Sequence, residues 1–267
     1  MTPADLQRIR ASRGWRERRI EVFADTADGA VLVKGQRPAG GAWRRRLLSG
    51  FARLIDAPML AGDARAHGAG AQATEVARLR ALAAAGVPVP EVLHVDAEFF
   101  VMRYIAGPQL SRLLDGAEAL TWWTRGVEFL SRTHRAGQYL AQAYPRNFIV
   151  AQQPPPQQLV ALDFESDSLR SMPLDAAMAR DWLAYLFTTL KYLPQQQPQC
   201  VARLRQVFAD EPPGVRLQID QVARRLAWVT RWRGNDARRS WRRYVLDAQR
   251  AIGTIASAQQ DHQVEKG

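Results

Sequence analysis

A change of pattern near residue 107 constrains the fold of this chain more than any other feature. Short apolar runs separated by turn residues precede it, such as 19–24 and 30–34, which an Asp-Gly turn signal divides. Long segments with apolar residues at helical spacing follow it, beginning with 119–136. Strands and helices that are segregated along the chain indicate an α+β fold, with a small antiparallel sheet and a mainly helical remainder.

The first hundred residues predict a small sheet that carries helices. The first hairpin opens the fold, and an alanine-rich helix over 73–85 ends where Gly86 follows it. A second strand pair spans 92–95 and 99–104. A basic amphipathic helix is predicted over 42–55, because its apolar residues recur at helical spacing opposite a run of arginines.

The helical remainder is interrupted by two short apolar strands, at 148–150 and 159–162, with a proline-rich loop between them. From these patterns we predict a first lobe over 1–106, a second lobe over 107–257 and a disordered tail over 258–267.

The net charge of +11 indicates a polyanionic partner, which could be nucleic acid, an anionic membrane surface or a phosphorylated substrate. Nucleic acid is disfavoured, because no zinc-finger spacing or aromatic RNA-binding motif is present. No apolar run of about 18 residues exists to span a bilayer, and the N-terminal residues lack an apolar signal core. With a single cysteine, Cys200, the chain is expected in the cytoplasm.

Lys34 is one of only three lysines and ends the apolar run 31–34. Such a strand-borne lysine is typical of sites in which an ammonium group meets nucleotide phosphates. Glu75, near the start of the following helix, could pair with it, although a carboxylate on a helix surface is an equally good interpretation.

Two polar residues stand at the ends of the short apolar strands. Asn147 comes directly before one strand and Asp163 directly after the other, so the two loops could share one metal ion. In a kinase catalytic loop an aspartate precedes such an asparagine by five positions, and here Gln142 holds that place. Each of these residues could also be an ordinary strand-end residue, and their joint order favours the functional interpretation.

Three short motifs carry a resemblance to a known superfamily. They are His-Arg-Ala-Gly at 134–137, Pro-Arg-Asn at 145–147 and Asp-Phe-Glu at 163–165. Over 21–186 the chain resembles the protein-kinase-like superfamily. It is most similar to the bacterial lipopolysaccharide core kinases that phosphorylate Kdo or heptose, and to aminoglycoside and choline kinases.

The resemblance implies a two-lobed fold, with a small antiparallel-sheet N-lobe and a larger, mainly helical C-lobe, and it implies ATP and Mg²⁺ as cofactors. It implies that Asn147 and Asp163 bind the metal, and that Asp181 braces the catalytic loop by accepting backbone N–H bonds. The residues implied to contact the nucleotide are Lys34, Glu75, Met102 and Tyr104. The implied acceptor is a sugar hydroxyl of lipopolysaccharide core or a related glycan, near Gln142.

Two departures leave alternatives open. No glycine-rich loop precedes Lys34, and Gln142 is neutral and cannot accept a proton, a task worth about 10²–10⁴ in rate. The sequence therefore permits a slow kinase, an altered transferase, or a pseudokinase that binds nucleotide and docks a membrane or partner. The helix predicted over 42–55 would suit peripheral contact with the anionic inner face of a membrane.

Overall fold

The computed structural model describes residues 1–36, 68–152, 157–231 and 250–258. The basic helix predicted over 42–55, the tip of the proline-rich loop at 153–156 and nearly all of the predicted tail lie outside these residues.

Two short helices precede the first hairpin, so the prediction that the hairpin opens the fold is wrong. Helix α1 spans Pro3–Ala11 and helix α2 spans Gly14–Arg18. A capping box begins α1: the Thr2 hydroxyl accepts the Asp5 N–H, and the Asp5 carboxylate accepts the Thr2 N–H. Proline also occupies the first helical position. This local signal was present in the sequence and predicts the helix directly.

The sheet contains four antiparallel strands in the order β1-β2-β4-β3. The pairs β1–β2 and β3–β4 are the two predicted hairpins. The strands are β1 Ile20–Thr26, β2 Gly29–Gly35, β3 Val92–Val95 and β4 Phe99–Arg103.

One face of the sheet packs against the N-terminal helices. Ile9 of α1 and Trp15 of α2 are buried with four strand residues, which are Val31, Val33, Phe99 and Val101. The Trp15 and Phe99 rings lie 5.0 Å apart, and Trp15 Nε1 donates to the Ile9 carbonyl at 2.8 Å. The two helices therefore cover the apolar side of β2 and β4.

Helix α3 spans Gly68–Ala84 and ends where the sequence predicts. Gly86 has φ +75°, and the N–H groups of Gly86 and Val87 donate to the carbonyls of Ala83 and Leu82. This is a Schellman motif, which requires a left-handed residue just beyond the helix. The observed helix begins five residues earlier than predicted.

Among the residues described after 108, the structure is mainly helical, apart from a two-stranded sheet of β5 and β6. The strands are β5 Phe148–Ala151 and β6 Gln158–Ala161. The α-helices are α4 Leu110–Leu113, α5 Ala119–Arg135, α6 Leu174–Thr189, α7 Gln197–Ala209 and α8 Pro213–Arg231, and residues 250–258 are also helical. Short 3-10 helices span Pro145–Asn147, Ser168–Arg170 and Leu190–Tyr192.

The described residues form two compact units. The first comprises 1–36, 68–108, 149–152 and 157–167, and the second comprises 109–148, 168–231 and 250–258. Nearly all of the β5–β6 hairpin therefore belongs to the same unit as the four-stranded sheet. The boundary that we predicted from the sequence, after residue 106, instead assigns this hairpin to the helical lobe. The structure confirms an α+β fold with a small antiparallel four-stranded sheet and a helical remainder.

Helices α5 and α6 form the core of the second unit. Their packing requires a glycine, because a Cβ on Gly126 would lie 2.0 Å from the Tyr185 hydroxyl. That hydroxyl donates to the Trp123 carbonyl at 2.9 Å, and Trp123 Nε1 donates to the Thr189 hydroxyl at 3.0 Å. No helix within the described ranges is both long and apolar enough to span a membrane.

Candidate functional site

Lys34 lies at the end of β2 with its ammonium group buried. Its Nζ is 2.6 Å from Oε1 of Glu75, and the two side chains are 7% and 2% exposed. Glu75 is presented by α3, 41 residues further along the chain. The structure therefore places in contact the two residues that the sequence suggested as an ion pair.

Two more carboxylates approach the same ammonium group. Oε1 of Glu165 is 3.1 Å from Lys34 Nζ, and Oδ1 of Asp163 is 3.4 Å from it. Both carboxylates belong to the segment that follows β6. Because a lysine ammonium has three N–H donors, three carboxylates account for all of them.

Asp163 has two properties that are unusual for a member of an ion-pair cluster. Its backbone φ is +67°, a left-handed conformation that is uncommon for residues other than glycine. Its side chain is 39% exposed, whereas those of Lys34 and Glu165 are 7% and 2% exposed. Asp163 is therefore the member of this cluster that combines an unusual backbone conformation with access to solvent.

Arg19 adds a second cation to the cluster. It follows α2 with φ +70°, and its guanidinium group donates to Glu165 Oε1 and to the Gly35 carbonyl, the latter at 3.3 Å. The sequence did not indicate any role for Arg19. Glu165 was noted there only as the last residue of the Asp-Phe-Glu motif at 163–165. With two cations and three carboxylates, the ionised cluster carries one net negative charge.

The pKa values in the cluster follow from burial and charge. Burial alone would lower the pKa of Lys34, but the attraction of the three carboxylates outweighs burial and raises it. Burial raises the pKa of Glu75, although Lys34 opposes this. Burial also acts to raise the pKa of Glu165, but Lys34 and Arg19 overcome that effect and lower it to about 2. Lys34 is therefore a cation throughout the physiological pH range, and Glu165 is an anion.

An apolar surface adjoins Lys34 on the same side of the sheet. Residues paired across antiparallel strands point to the same side, and Lys34 pairs with Ile20 while Leu32 pairs with Val22 and Met102. Ile20 and Val22 are 45% and 46% exposed, which is unusual for large aliphatic side chains in a sheet.

Met102 and Tyr104, both predicted to bind a nucleotide, belong to this sheet region. Met102 is buried, and Tyr104 continues the strand, with its N–H donating to the Ala30 carbonyl and 39% of the residue exposed. Alternation along the strand places the two side chains on the same side as Lys34.

In the second unit, the residues 140–147 form a loop that is fixed by hydrogen bonds. Asp181 of α6 is fully buried, and its Oδ2 accepts the Leu140 N–H at 2.6 Å. Ala141 has φ +66°. The Gln142 carbonyl accepts both Asn147 Nδ2 at 3.0 Å and the Tyr144 N–H at 2.7 Å. The structure thus brings together Gln142, Asn147 and Asp181, three residues that the sequence assigned to one loop and its support.

A buried histidine forms part of the same support. His134, near the end of α5, has Nδ1 2.9 Å from Glu211 Oε2 and Nε2 3.6 Å from Asp181 Oδ2, and all three side chains are fully buried. Desolvation would lower the pKa of His134, but Asp181 and Glu211 raise it to about 9. The imidazole is therefore a buried cation at neutral pH. In the sequence, His134 was noted only as part of the motif at 134–137, and Glu211 was not identified at all.

The sequence predicted that Asn147 and Asp163 are ligands of a metal ion. Among the residues that the structure describes, no group of three or more His, Cys, Asp or Glu side chains is arranged to hold a metal ion. No protein-family profile and no curated protein sequence matches this chain significantly.

Proposed function

We propose that this chain is an ATP-dependent phosphotransferase with a two-lobed, protein-kinase-like organisation. The observation that carries the proposal is the position of Lys34, which is a buried ammonium group held by Glu75 beside an exposed apolar sheet face. An adenine nucleotide presents these same two chemistries, an apolar ring system and a row of anionic oxygens.

A purely structural role explains this cluster less well than a binding role. Burial of an ion pair is costly, and well-packed apolar residues usually stabilise a core at least as well. Here one buried lysine is shared by three carboxylates. Such clusters of perturbed groups are concentrated at functional sites.

In the proposed complex, the base lies on the face that contains Ile20, Val22 and Leu32, close to Met102 and Tyr104. Lys34 binds the α- and β-phosphates, and Glu75 fixes the direction of its ammonium group. The short Glu75 contact limits the rotamers of a side chain that is otherwise flexible.

The two candidate magnesium ligands that we propose are Asp163 of the first unit and Asn147 of the second. A carboxylate and an amide oxygen are the hard ligands that Mg²⁺ favours, and the net negative charge around Lys34 suits a divalent cation. When bound, magnesium would neutralise charge on the phosphate oxygens. Asp163 fits this role because its side chain is 39% exposed, while Asn147 is held by its amide nitrogen at the Gln142 carbonyl.

The acceptor that we propose is a sugar hydroxyl of lipopolysaccharide core or a related glycan, placed near Gln142. Phosphoryl transfer proceeds mostly by positioning and electrostatic stabilisation, so a residue that orients the hydroxyl can support turnover without accepting its proton. The loop is suited to positioning, because Asp181 holds Leu140 and the Gln142 carbonyl closes the turn.

Gln142 also supports a second candidate function. A pseudokinase would keep the nucleotide site and lack the base, and Gln142 stands where an acidic residue is expected. In this alternative, nucleotide binding regulates docking to a partner or to the anionic inner face of a membrane, which the net charge of +11 would favour.

ATP turnover measured with candidate glycan acceptors separates the two functions. The proposed kinase transfers phosphate to a sugar hydroxyl, and Lys34→Met abolishes this transfer while Lys191→Met, which makes the same charge change, preserves it. Magnesium-dependent nucleotide binding without transfer to any acceptor would instead favour the pseudokinase.

A further inference from the structure

Lys34 must exchange a partner before it can bind a phosphate. Its three N–H donors face Glu75, Glu165 and Asp163 at 2.6, 3.1 and 3.4 Å. Any phosphate oxygen that enters must therefore displace one of the three carboxylates. A displaced carboxylate that remained buried without a cation would be strongly unfavourable, as it is when one partner of a buried ion pair is removed.

The three carboxylates differ in their exposure to solvent and in their contacts with other charged groups, so displacement from Lys34 would affect each of them differently. Glu75 is almost completely buried on α3 and makes the shortest contact with Lys34. Asp163 is the exposed member, with 39% of its side chain accessible. Glu165 is 2% exposed, but a second cation already contacts it, because Arg19 donates to the same Oε1 that faces Lys34.

The backbone holds Arg19 in this position. The Gly35 N–H donates to the Arg19 carbonyl at 2.8 Å, and Arg19 Nε donates to the Gly35 carbonyl at 3.3 Å, so the end of β2 holds both the backbone and the side chain of Arg19. The left-handed φ of +70° turns the chain between α2 and β1 at this residue. Arg19 is thus a fixed cation beside a shared carboxylate.

We infer that Arg19 is a positioning residue that retains Glu165 when Lys34 turns to the nucleotide, so that the Arg19–Glu165 pair sets the affinity of this site for nucleotide phosphates. The inference rests on the proposed function and adds a regulatory contact from the N-terminal helices. Without Arg19, Glu165 would depend more strongly on Lys34, and the phosphates would compete with a more strongly held carboxylate.

The test is equilibrium binding of Mg-ATP to the full chain by calorimetry. Arg19→Gln is expected to weaken binding about tenfold, the loss that corresponds to one charge-assisted hydrogen bond. Arg18→Gln is the matched control, because Arg18 is the adjacent exposed arginine and the substitution changes the net charge equally. Glu165→Gln is expected to bind at least as tightly as the wild type, since it removes the competing anion.

The double variant Arg19→Gln/Glu165→Gln distinguishes positioning from general damage to the fold. We expect the double variant to bind Mg-ATP as tightly as Glu165→Gln alone. Once residue 165 is neutral, it no longer competes with the phosphates for Lys34, so the loss of Arg19 should have no further effect. Equal affinities of Arg19→Gln and Arg18→Gln would overturn the inference, as would weaker binding by Glu165→Gln than by the wild type. If Arg19→Gln does not fold, Arg19→Lys against Arg18→Lys makes the same comparison. Absence of Mg-ATP binding by the wild type would overturn the proposed function together with the inference.

Discussion

The buried cation at His134 makes the stability of this protein depend on pH in a defined direction. The pKa of His134 is raised from 6.5 to about 9 in the folded protein by its two carboxylate partners. A shift of this size corresponds to roughly 3 kcal/mol of unfolding free energy. Since the folded pKa is the higher one, this stabilisation is fully present below about pH 6.5 and is lost as the pH rises through about 9.

The assay is urea unfolding of the wild type and variants at fixed pH values from 6 to 10. His134 should account for a loss of roughly 3 kcal/mol in the wild type across this range, and this part of the slope should disappear in His134→Gln. A loss above about pH 9 should remain in both proteins, because burial raises the pKa of the Cys200 thiol to about 12. That variant leaves Asp181 and Glu211 without their shared cation, so we also expect it to be less stable at pH 6 by roughly 3–5 kcal/mol. His94→Gln is the control, because His94 belongs to the first unit and is not a member of this triad.

A milder change tests the same reasoning if His134→Gln does not fold. Glu211→Gln removes the carboxylate that lies 2.9 Å from His134 Nδ1, so the pKa of His134 should fall and the pH slope should become shallower. The pKa can be followed by NMR of the imidazole protons. A wild-type pKa near 6.5, or an unchanged pH slope in His134→Gln, would refute the claim of a buried imidazolium.

Two further predictions concern the loop and the sheet. Gln142→Asp should raise the rate of phosphotransfer about 10²-fold if the chain is an enzyme, because aspartate supplies the missing proton acceptor. An unchanged rate with an acceptor that the wild type phosphorylates would show that position 142 is not the place of the catalytic base. Gly107→Ala should destabilise the protein by on the order of 3 kcal/mol or more in urea unfolding, because a Cβ there would lie 1.9 Å from the Val150 carbonyl oxygen and φ is +155°. Gly253→Ala is its control, because among the described residues no atom outside the surrounding helix backbone lies within 4 Å of the added Cβ.

The parts of the fold that were predictable have local causes. Short apolar runs separated by turn residues predicted both hairpins, with an Asp-Gly signal in the first. Gly86 marked the end of α3, because a left-handed residue completes the Schellman motif. The pairing of Lys34 with Glu75 was suggested by the resemblance and by the order of elements, although the two residues are 41 positions apart.

The parts that were missed depend on contacts between distant side chains. Arg19 and Glu165 are 146 residues apart, and His134 and Glu211 are 77 apart, so no local pattern links them. Arg19 lies between α2 and β1, and nothing in the local sequence distinguishes it from the many other arginines of this chain. The N-terminal helices were a different case, because the Thr2–Asp5 capping box is a local signal that the sequence contained.

The central claim, a nucleotide site organised around Lys34 and Asp163, is tested most directly by a thermal-shift titration with Mg-ATP. We expect the wild type to be stabilised as the Mg-ATP concentration increases. Omission of magnesium should reduce this stabilisation, and Asp163→Ala should lose most of it. A stabilisation of about 2.7 kcal/mol is expected when the ligand concentration is about 100 times Kd. If neither the wild type nor Asp163→Ala responds to Mg-ATP, the claim is contradicted.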